Sequence, residues 1–280
     1  MDIKDRLCVN NFPYRKYTFP YFLQSVQRLG LRRLELSGCH PHFTEYEAEV
    51  FDTKALAAKV RACGLKVAMI EPEQNFLPVN IASGQEYLWR RSVEALEFYI
   101  RSAQDFDCDK VIIYPGKGAM DQSLEDARGN SAKALSRLCG TARGNGVKLL
   151  LQNVSDCVSN LTVTLEDLKV LSGMAGGEGL YISIDTCALS AAGESLEDAF
   201  RIFGDRILNV QLSDSSEEGE HLIIGEGVQD FAGYLRALDG YGYQGEITLE
   251  ITEEECADDP EDCYRESLEA LDQVIEEVGL

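Results

Sequence analysis

Positive charge is scarce in this chain: 26 lysines and arginines stand against 48 aspartates and glutamates, which gives a formal net charge of −22. Nucleic-acid affinity depends on clustered Lys and Arg side chains that neutralise phosphates. A surface this acidic repels polyphosphate, so we expect no nucleic-acid partner. The two acidic runs, residues 214–220 and 253–262, are expected to be solvated loops that keep the protein soluble.

Long hydrophobic runs are also missing. No stretch approaches the roughly 20 apolar residues of a membrane span, and no apolar run of the kind found in a signal peptide follows residues 1–6. The nine cysteines are scattered, without a C-x-x-C pair. This pattern is typical of reduced thiols that mostly fill a core. We therefore expect a cytoplasmic protein with no membrane partner.

The dinucleotide-binding motif G-x-G-x-x-G does not follow the first apolar run, which disfavours a Rossmann-like sheet. Eight apolar runs of strand length recur instead, each followed by a helical pattern. They cover residues 7–10, 33–36, 66–70, 110–114, 147–152, 180–184, 207–211 and 245–250. Such continuous runs indicate strands buried on both faces, as in a parallel sheet. The composition does not shift between the repeats, so they predict an α/β fold, a single (β/α)8 TIM barrel domain over residues 1–280. Two smaller domains are the alternative.

The segments between the strands carry apolar stripes at i, i+3 and i+4 spacing, the pattern of helices that cover a sheet. Phe22, Val26 and Leu29 form one such stripe. Gly30 and Gly64, each just before the next strand, are typical helix stops, because a left-handed residue is needed there.

A carboxylate stands at the end of the sixth run, where Asp185 is followed by small residues up to Gly193. A buried carboxylate is costly unless it binds something. In a (β/α)8 barrel, active sites lie at the C-terminal ends of the strands. The sequence therefore predicts a functional site at Asp185.

Several stretches resemble the xylose-isomerase-like TIM barrels, which include sugar isomerases, sugar epimerases and AP endonucleases. Their order and spacing, more than any one motif, carry the resemblance, which covers most of the chain from about residue 70. The stretches are F-L-P-V-N-I-A-S at 76–83, Y-P-G at 114–116, L-L-Q-N at 150–153, D-T-C-A-L-S-A-A-G at 185–193, H-L-I-I-G-E-G-V-Q-D-F at 221–231, and G-Y-Q-G at 242–245 leading to Glu250.

The resemblance implies a divalent metal held by Glu, Asp, His and Glu at the ends of strands five to eight. The matching positions of this chain are Gln152, Asp185, Gln211 and Glu250. Two further family histidines fall on Ala188 and Tyr114, and of the extra endonuclease ligands only His221 has a counterpart.

These replacements weaken the implied metal site. A neutral amide oxygen is a poorer ligand for zinc or manganese than an imidazole or a carboxylate. Two carboxylates and two amides suit at most a weakly bound divalent cation such as Mg, Mn or Ca, so we expect weak metal binding or none.

The same replacements bear on proton transfer. The family's epimerases use the glutamates of strands five and eight as paired acid and base. Gln152 cannot take a proton, so two-base epimerisation is in doubt, whereas one-base chemistry at Glu250 is not.

Other polar residues follow predicted strands and are candidate substrate-binding groups. His40 and His42 follow the second strand, Glu73 follows the third, and Lys117 follows the fourth. With Gln152, Gln211 and His221 they complete the predicted substrate-binding set. Loop histidines are often only hydrogen-bonded surface groups, and the turn at Lys117 can be purely structural.

The sequence predicts an isomerase- or epimerase-like enzyme, or a related lyase, acting on a small sugar or polyol. Glu250 and Asp185 are the predicted catalytic residues, and a homo-oligomer is compatible with the sequence. The alternative is a non-catalytic or regulatory relative that binds a sugar.

Overall fold

The centre of the molecule is a closed barrel of eight parallel strands, with a short antiparallel pair beside it. The structure is a computed structural model that describes residues 3–45, 52–74, 79–176, 179–217 and 219–280. The barrel strands are β1 (Leu7–Asn10), β2 (Arg33–Gly38), β3 (Lys66–Pro72), β4 (Lys110–Ile113), β5 (Lys148–Gln152), β6 (Leu180–Asp185), β7 (Ile207–Leu212) and, after the pair β8 (Asp214–Ser215) and β9 (Glu220–Leu222), β10 (Glu246–Leu249).

The order around the barrel is β1, β10, β7, β6, β5, β4, β3, β2. In this ring of eight, β4 lies opposite β10, and β3 lies opposite β7. Side chains that leave the C-terminal ends of opposite strands therefore face each other across the barrel mouth.

Helices surround the barrel and cover its outer face. They are α1 (Phe19–Arg28), α2 (Thr53–Ala62), α3 (Glu86–Ser102), α4 (Leu124–Gly144), α5 (Leu165–Met174), α6 (Thr186–Ala191), α7 (Leu196–Phe203), α8 (Phe231–Gly240) and α9 (Pro260–Val278). The last begins with Asp259 as N-cap and Pro260 in the first turn, and it ends at Gly279 in the left-handed region. None of the described helices is both long and apolar enough to cross a membrane.

The main core lies between strands and helices, and a second, smaller core fills the bottom of the barrel. Cys8, Met69 and Ile112 belong to the inner core. Above it lies a buried polar layer, in which Thr248 donates a hydrogen bond to Glu35 (3.0 Å). This layer supports the side chains at the barrel mouth.

The α/β barrel predicted from the repeats is confirmed, and each predicted strand overlaps an observed one. Residues 76–78, part of one resembling stretch, lie outside the described residues. The expectation that the acidic run from residue 214 is a solvated loop is wrong at Asp214, which is 2% exposed. Its carboxylate accepts hydrogen bonds from the backbone N–H groups of Ser215, Gly225 and Gln229, so it organises the hairpin of β8 and β9.

The expectation that all cysteines are reduced is wrong for two of the nine. Cys256 and Cys263 form a disulfide that joins the segment after β10 to α9, and the other seven are free. Their spacing of seven residues matches no motif. The two sulfurs meet because the chain turns between them at the start of α9.

Candidate active site

A cavity of about 470 Å³ opens at the C-terminal ends of the barrel strands. Its wall is strongly anionic, because among the described residues six carboxyl groups line it against one guanidinium, that of Arg15. The carboxylates belong to Glu71, Glu73, Asp185, Glu220, Glu250 and Glu254. The face of the barrel is the one where active sites of this fold lie.

The four residues that match the metal-ligand positions implied by the family resemblance lie at the ends of adjacent strands. Gln152 ends β5, Asp185 ends β6, Gln211 is the next-to-last residue of β7, and Glu250 directly follows β10. All four are buried. The parallel register of β5, β6, β7 and β10 therefore gathers them at the barrel mouth.

Asp185 has a structural contact as well as a place in the cavity wall. One carboxylate oxygen, Oδ1, accepts hydrogen bonds from the N–H groups of Cys187 (2.8 Å) and Ala188 (3.4 Å), and so caps helix α6. The other oxygen, Oδ2, lies 3.7 Å from Nε2 of His221.

Four side chains, which we call the amide chain, form a continuous hydrogen-bonded row at the C-terminal ends of the strands. Glu71 and Tyr114 line the cavity, and Gln152 and Gln211 are buried next to them. Gln152 donates from Nε2 to Oε1 of Gln211 (2.7 Å), and Gln211 donates from Nε2 to Oε2 of Glu71 (3.3 Å). From the other side, the hydroxyl of Tyr114 donates to Oε1 of Glu71 (2.7 Å). The row spans the barrel because Gln211 on β7 and Glu71 on β3 stand opposite each other.

A second group, which we call the carboxylate–histidine group, comprises Asp185, His221 and Glu250. Nδ1 of His221 lies 3.6 Å from Oε2 of Glu250 and 3.1 Å from the hydroxyl of Ser213. His221 holds this position with φ of 59°, in the left-handed region that few residues other than glycine adopt. The ring thus stands between two carboxylates without a short hydrogen bond to either.

Two residues that line the cavity each have a buried oxygen with no hydrogen-bond partner among the described residues, Oε2 of Glu250 and Oγ of Ser37. Oε1 of Gln152, which is buried at the end of β5, is also without a partner. An unpaired buried acceptor costs roughly 1–3 kcal/mol. Such atoms are commonly satisfied by a ligand or by solvent, so all three are candidates for contact with a bound molecule.

The electrostatic environment favours the protonated form of the buried carboxyls. Burial raises the pKa of Glu250 well above its usual range, and the charges of Glu71 and Asp185 add to this shift. Burial also raises the pKa of Asp185, although His221 opposes the shift. These are the conditions that bring a carboxylate into the range of general-base chemistry near neutral pH.

The donor set fits a transition metal poorly. Two of the four family positions carry neutral amides, and the amide oxygen of Gln211 already accepts a hydrogen bond from Gln152. The ligand atoms of Asp185, Cys187 and His221 lie within 4.8 Å of one another. However, the Cys187 thiol donates to the backbone carbonyls of Ser213 and Asp214, so a metal ion at this position would have to replace these contacts.

Of the seven predicted substrate-binding residues, His221 and Glu73 line this cavity, and Gln152 and Gln211 are buried without lining it. The other three lie elsewhere. His40 is exposed, and His42 is 2% exposed in the core, with Nε2 against the carbonyl of Tyr17 (2.8 Å). Burial lowers the pKa of His42. Lys117 lines a neighbouring depression, where its ammonium group donates to the carbonyl of Cys157 (2.7 Å).

The structure brings three residues to the cavity that were not among the predicted site residues: Glu71, Tyr114 and Arg15. Glu71 is the next-to-last residue of β3 and Tyr114 directly follows β4, so both lie near strand ends, which is a usable signal. Their hydrogen bond joins residues 43 positions apart, which no local pattern predicts. Arg15, whose guanidinium lies 3.9 Å from the centre of the Phe12 ring, carries no recognisable motif. Glu73 lies at the cavity wall as predicted from its place after β3.

Comparison with known proteins agrees with this geometry. The model of the family described as xylose isomerase-like TIM barrel matches residues 23–274. The chain belongs to this family.

Among curated relatives, fructoselysine 3-epimerase of Shigella flexneri is 23% identical over 239 residues, which covers 85% of this chain and 87% of that protein. L-ribulose 3-epimerase of Mesorhizobium japonicum is 26% identical over 242 residues, covering 85% and 76%. A solved structure of L-ribulose 3-epimerase matches with a TM-score of 0.81 and 22% identity, over 98% of this chain and 95% of that one. The relatives of this family member therefore include sugar 3-epimerases.

Proposed function

We propose that this chain is a sugar isomerase or epimerase that moves a proton at the carbon next to a carbonyl group. Glu250 is the base that removes this proton. The relatives named 3-epimerases support epimerisation at carbon 3 of a small ketose. The reaction takes place in the cavity at the C-terminal face of the barrel.

The observation that carries this proposal is the state of Glu250. Its side chain lines the cavity, is 8% exposed, and has one carboxylate oxygen without a hydrogen-bond partner. Burial and the neighbouring carboxylates raise its pKa. A carboxylate with raised proton affinity and an open oxygen is suited to take a proton from a bound substrate.

Neighbouring groups orient the substrate and stabilise the charge that forms. As Glu250 takes the proton, the electron pair of the C–H bond moves into the carbonyl, and an enolate oxygen develops. In this proposal an N–H of His221, which lies between Asp185 and Glu250, donates to this oxygen. The buried, unpaired Oε1 of Gln152 accepts from a sugar hydroxyl.

We also propose that any divalent cation, such as Mg, Mn or Ca, binds this site only weakly. When bound, the cation would be held by oxygen atoms of Asp185, Glu250 and Gln152, and it would polarise the carbonyl. Gln211 instead acts by holding its neighbours in the amide chain.

The charge of the cavity favours an unphosphorylated substrate. Six carboxylates against one guanidinium repel a phosphate dianion, and the net charge of −22 adds to this repulsion. Neutral ketoses are therefore the substrates to test first, and nucleic acid is not a ligand.

The experiment is solvent exchange in deuterium oxide. D-fructose, D-psicose, D-tagatose and L-ribulose are incubated with the protein, and deuterium at carbon 3 is followed by NMR. The proposal expects enzyme-dependent exchange with at least one ketose, and none with the matched polyol that lacks a carbonyl. Absence of exchange with every ketose would contradict the proposed function.

A second candidate is a sugar-binding protein without turnover. The amides at Gln152 and Gln211, where the family resemblance implies an acid–base residue and a histidine, favour this candidate. Ligand-dependent thermal stabilisation by a ketose, without exchange at carbon 3, would support it.

A further inference from the structure

Two-base epimerisation removes a proton from one face of the reacting carbon and delivers a proton to the opposite face, and Gln152 cannot carry one. With Glu250 on one side, a two-base reaction requires another group on the opposite side. The group has to line the same cavity, to hold a transferable proton, and to stand across the barrel from Glu250.

Tyr114 meets these conditions among the described residues. It directly follows β4, and Glu250 directly follows β10, which lies opposite β4 in the ring. Both side chains line the 470 Å³ cavity. A ligand held between them therefore presents one face to the Glu250 carboxylate and the other to the Tyr114 hydroxyl.

The Tyr114 hydroxyl also has a proton acceptor behind it. It donates to Oε1 of Glu71 at 2.7 Å, within the range of a charge-assisted O–H···O bond, and Gln211 donates to the second oxygen of Glu71. Burial and the charge of Glu71 raise the pKa of Tyr114, which keeps the phenol protonated between turnovers.

We propose that Tyr114, backed by Glu71, is the second proton carrier of this site and replaces the missing carboxylate at Gln152. This inference rests on the proposed epimerase function. Tyr114 is the catalytic residue on its side, and Glu71 is the positioning residue and proton reservoir behind it.

The proton movements balance in both directions. From one epimer, the Glu250 carboxylate takes the carbon proton, and the electron pair passes into the carbonyl oxygen. The Tyr114 hydroxyl then gives its proton to the opposite face of the carbon as Glu71, in its carboxylic acid form, reprotonates the phenol. From the other epimer, the Tyr114 oxygen takes the carbon proton while its own proton passes to the Glu71 carboxylate. Glu250, in its carboxylic acid form, then gives its proton to the opposite face of the carbon. Exchange with water resets both carboxyls.

The test separates the two half-reactions. Tyr114→Phe is examined with the ketose that shows exchange at carbon 3, and both deuterium exchange and conversion into the C3 epimer are measured. Because Glu250 still removes its proton, exchange from one epimer should stay within about fivefold of wild type. Conversion between epimers should fall about 100-fold or more, the usual contribution of a positioned acid or base.

Glu71→Gln provides a second variant, because an amide still accepts from the phenol but cannot cycle a proton. It should show the same split between exchange and conversion. Tyr181→Phe is the matched control, since Tyr181 packs on the inner core below the cavity, and it should change neither rate.

Each outcome is decisive. Tyr114 is not the second proton carrier if the Tyr114→Phe and Glu71→Gln variants lose deuterium exchange and epimer conversion together. The same holds if these variants keep wild-type conversion. In both cases the proposed function stands. If the wild-type protein exchanges no ketose, the proposed function fails and this inference fails with it.

Discussion

Two groups of polar side chains at the C-terminal ends of the strands differ in how closely their members are paired. In the amide chain, hydrogen bonds of 2.7 to 3.3 Å link Gln152, Gln211, Glu71 and Tyr114. In the carboxylate–histidine group, His221 is 3.6 and 3.7 Å from its two carboxylates. Most members of both groups are buried, so burial alone does not explain the difference.

The difference separates positioning from reaction. A paired network fixes side chains, whereas an unpaired buried carboxylate is destabilising unless a ligand engages it. We infer that Gln152, Gln211 and Glu71 of the amide chain hold the geometry of the site, and that the carboxylate–histidine group and the Tyr114 hydroxyl at the end of the chain meet the reacting atoms. The following substitutions test this division, from the largest expected effect to the smallest.

Asp185→Asn should separate the two roles of one side chain. The amide oxygen still caps helix α6, but the negative charge beside His221 is lost. We expect the exchange rate at carbon 3 to fall by about 100-fold, since a positioned charged group contributes on this scale, with little change in melting temperature.

Asp185→Ala is the comparison, because it also removes the cap, worth about 1 kcal/mol, and should lower the melting temperature by roughly 2–4 °C. Wild-type exchange in Asp185→Asn would show that the charge has no part in the reaction.

Gln152→Glu combined with Gln211→His should convert the amide chain into a metal site. The double change restores one carboxylate and one imidazole at the family positions, so Mn²⁺ affinity should rise by about tenfold or more. Titration calorimetry of chelator-treated protein measures this, with Gln122→Glu, an exposed site, as control for added charge. Tight Mn²⁺ or Zn²⁺ binding by the wild-type protein, surviving dialysis against a chelator, would contradict the account.

Glu35→Gln should stabilise the protein at high pH. Burial raises the pKa of Glu35 well above the unfolded value of about 4.3, and Glu71 adds to the shift. Because the pKa of Glu35 is higher in the folded state, protonated Glu35 contributes its full stability below the unfolded pKa. This contribution to the free energy of unfolding is lost as the pH rises through the folded pKa. The variant cannot ionise, so its melting temperature should exceed wild type at pH 8 by a few degrees, on the scale of about 1 kcal/mol.

The advantage of Glu35→Gln should shrink or reverse at pH 4. Glu226→Gln, at an exposed position, serves as the control. Equal differences at both pH values would mean that ionisation of Glu35 does not limit stability.

The fold and the strand ends were largely predictable, because burial on both faces leaves a continuous apolar run. That rule placed Gln152, Asp185 and Glu250 at the barrel mouth from local sequence alone. The strand bounds moved by only a few residues, as at β3, which continues to Pro72.

Contacts between distant segments were not predictable. Gln152 and Gln211 are 59 residues apart, and Gln211 and Glu71 are 140 apart, so no local pattern shows that these amides bond to one another. The same applies to His42. Its position in a loop after the second strand predicted a substrate-binding residue, but the ring packs against Phe19 and Phe22. The bond between Cys256 and Cys263 arises where a turn brings two unremarkable cysteines together.

The most direct measurement is solvent-deuterium exchange by Glu250→Gln, with ketose binding followed in parallel by calorimetry. Glutamine keeps the shape of Glu250 but cannot take a proton. The account predicts that exchange at carbon 3 in the direction served by Glu250 is abolished, while ketose affinity stays within a few-fold of wild type. Persistent exchange in this variant would show that Glu250 is not the base and would contradict the central claim.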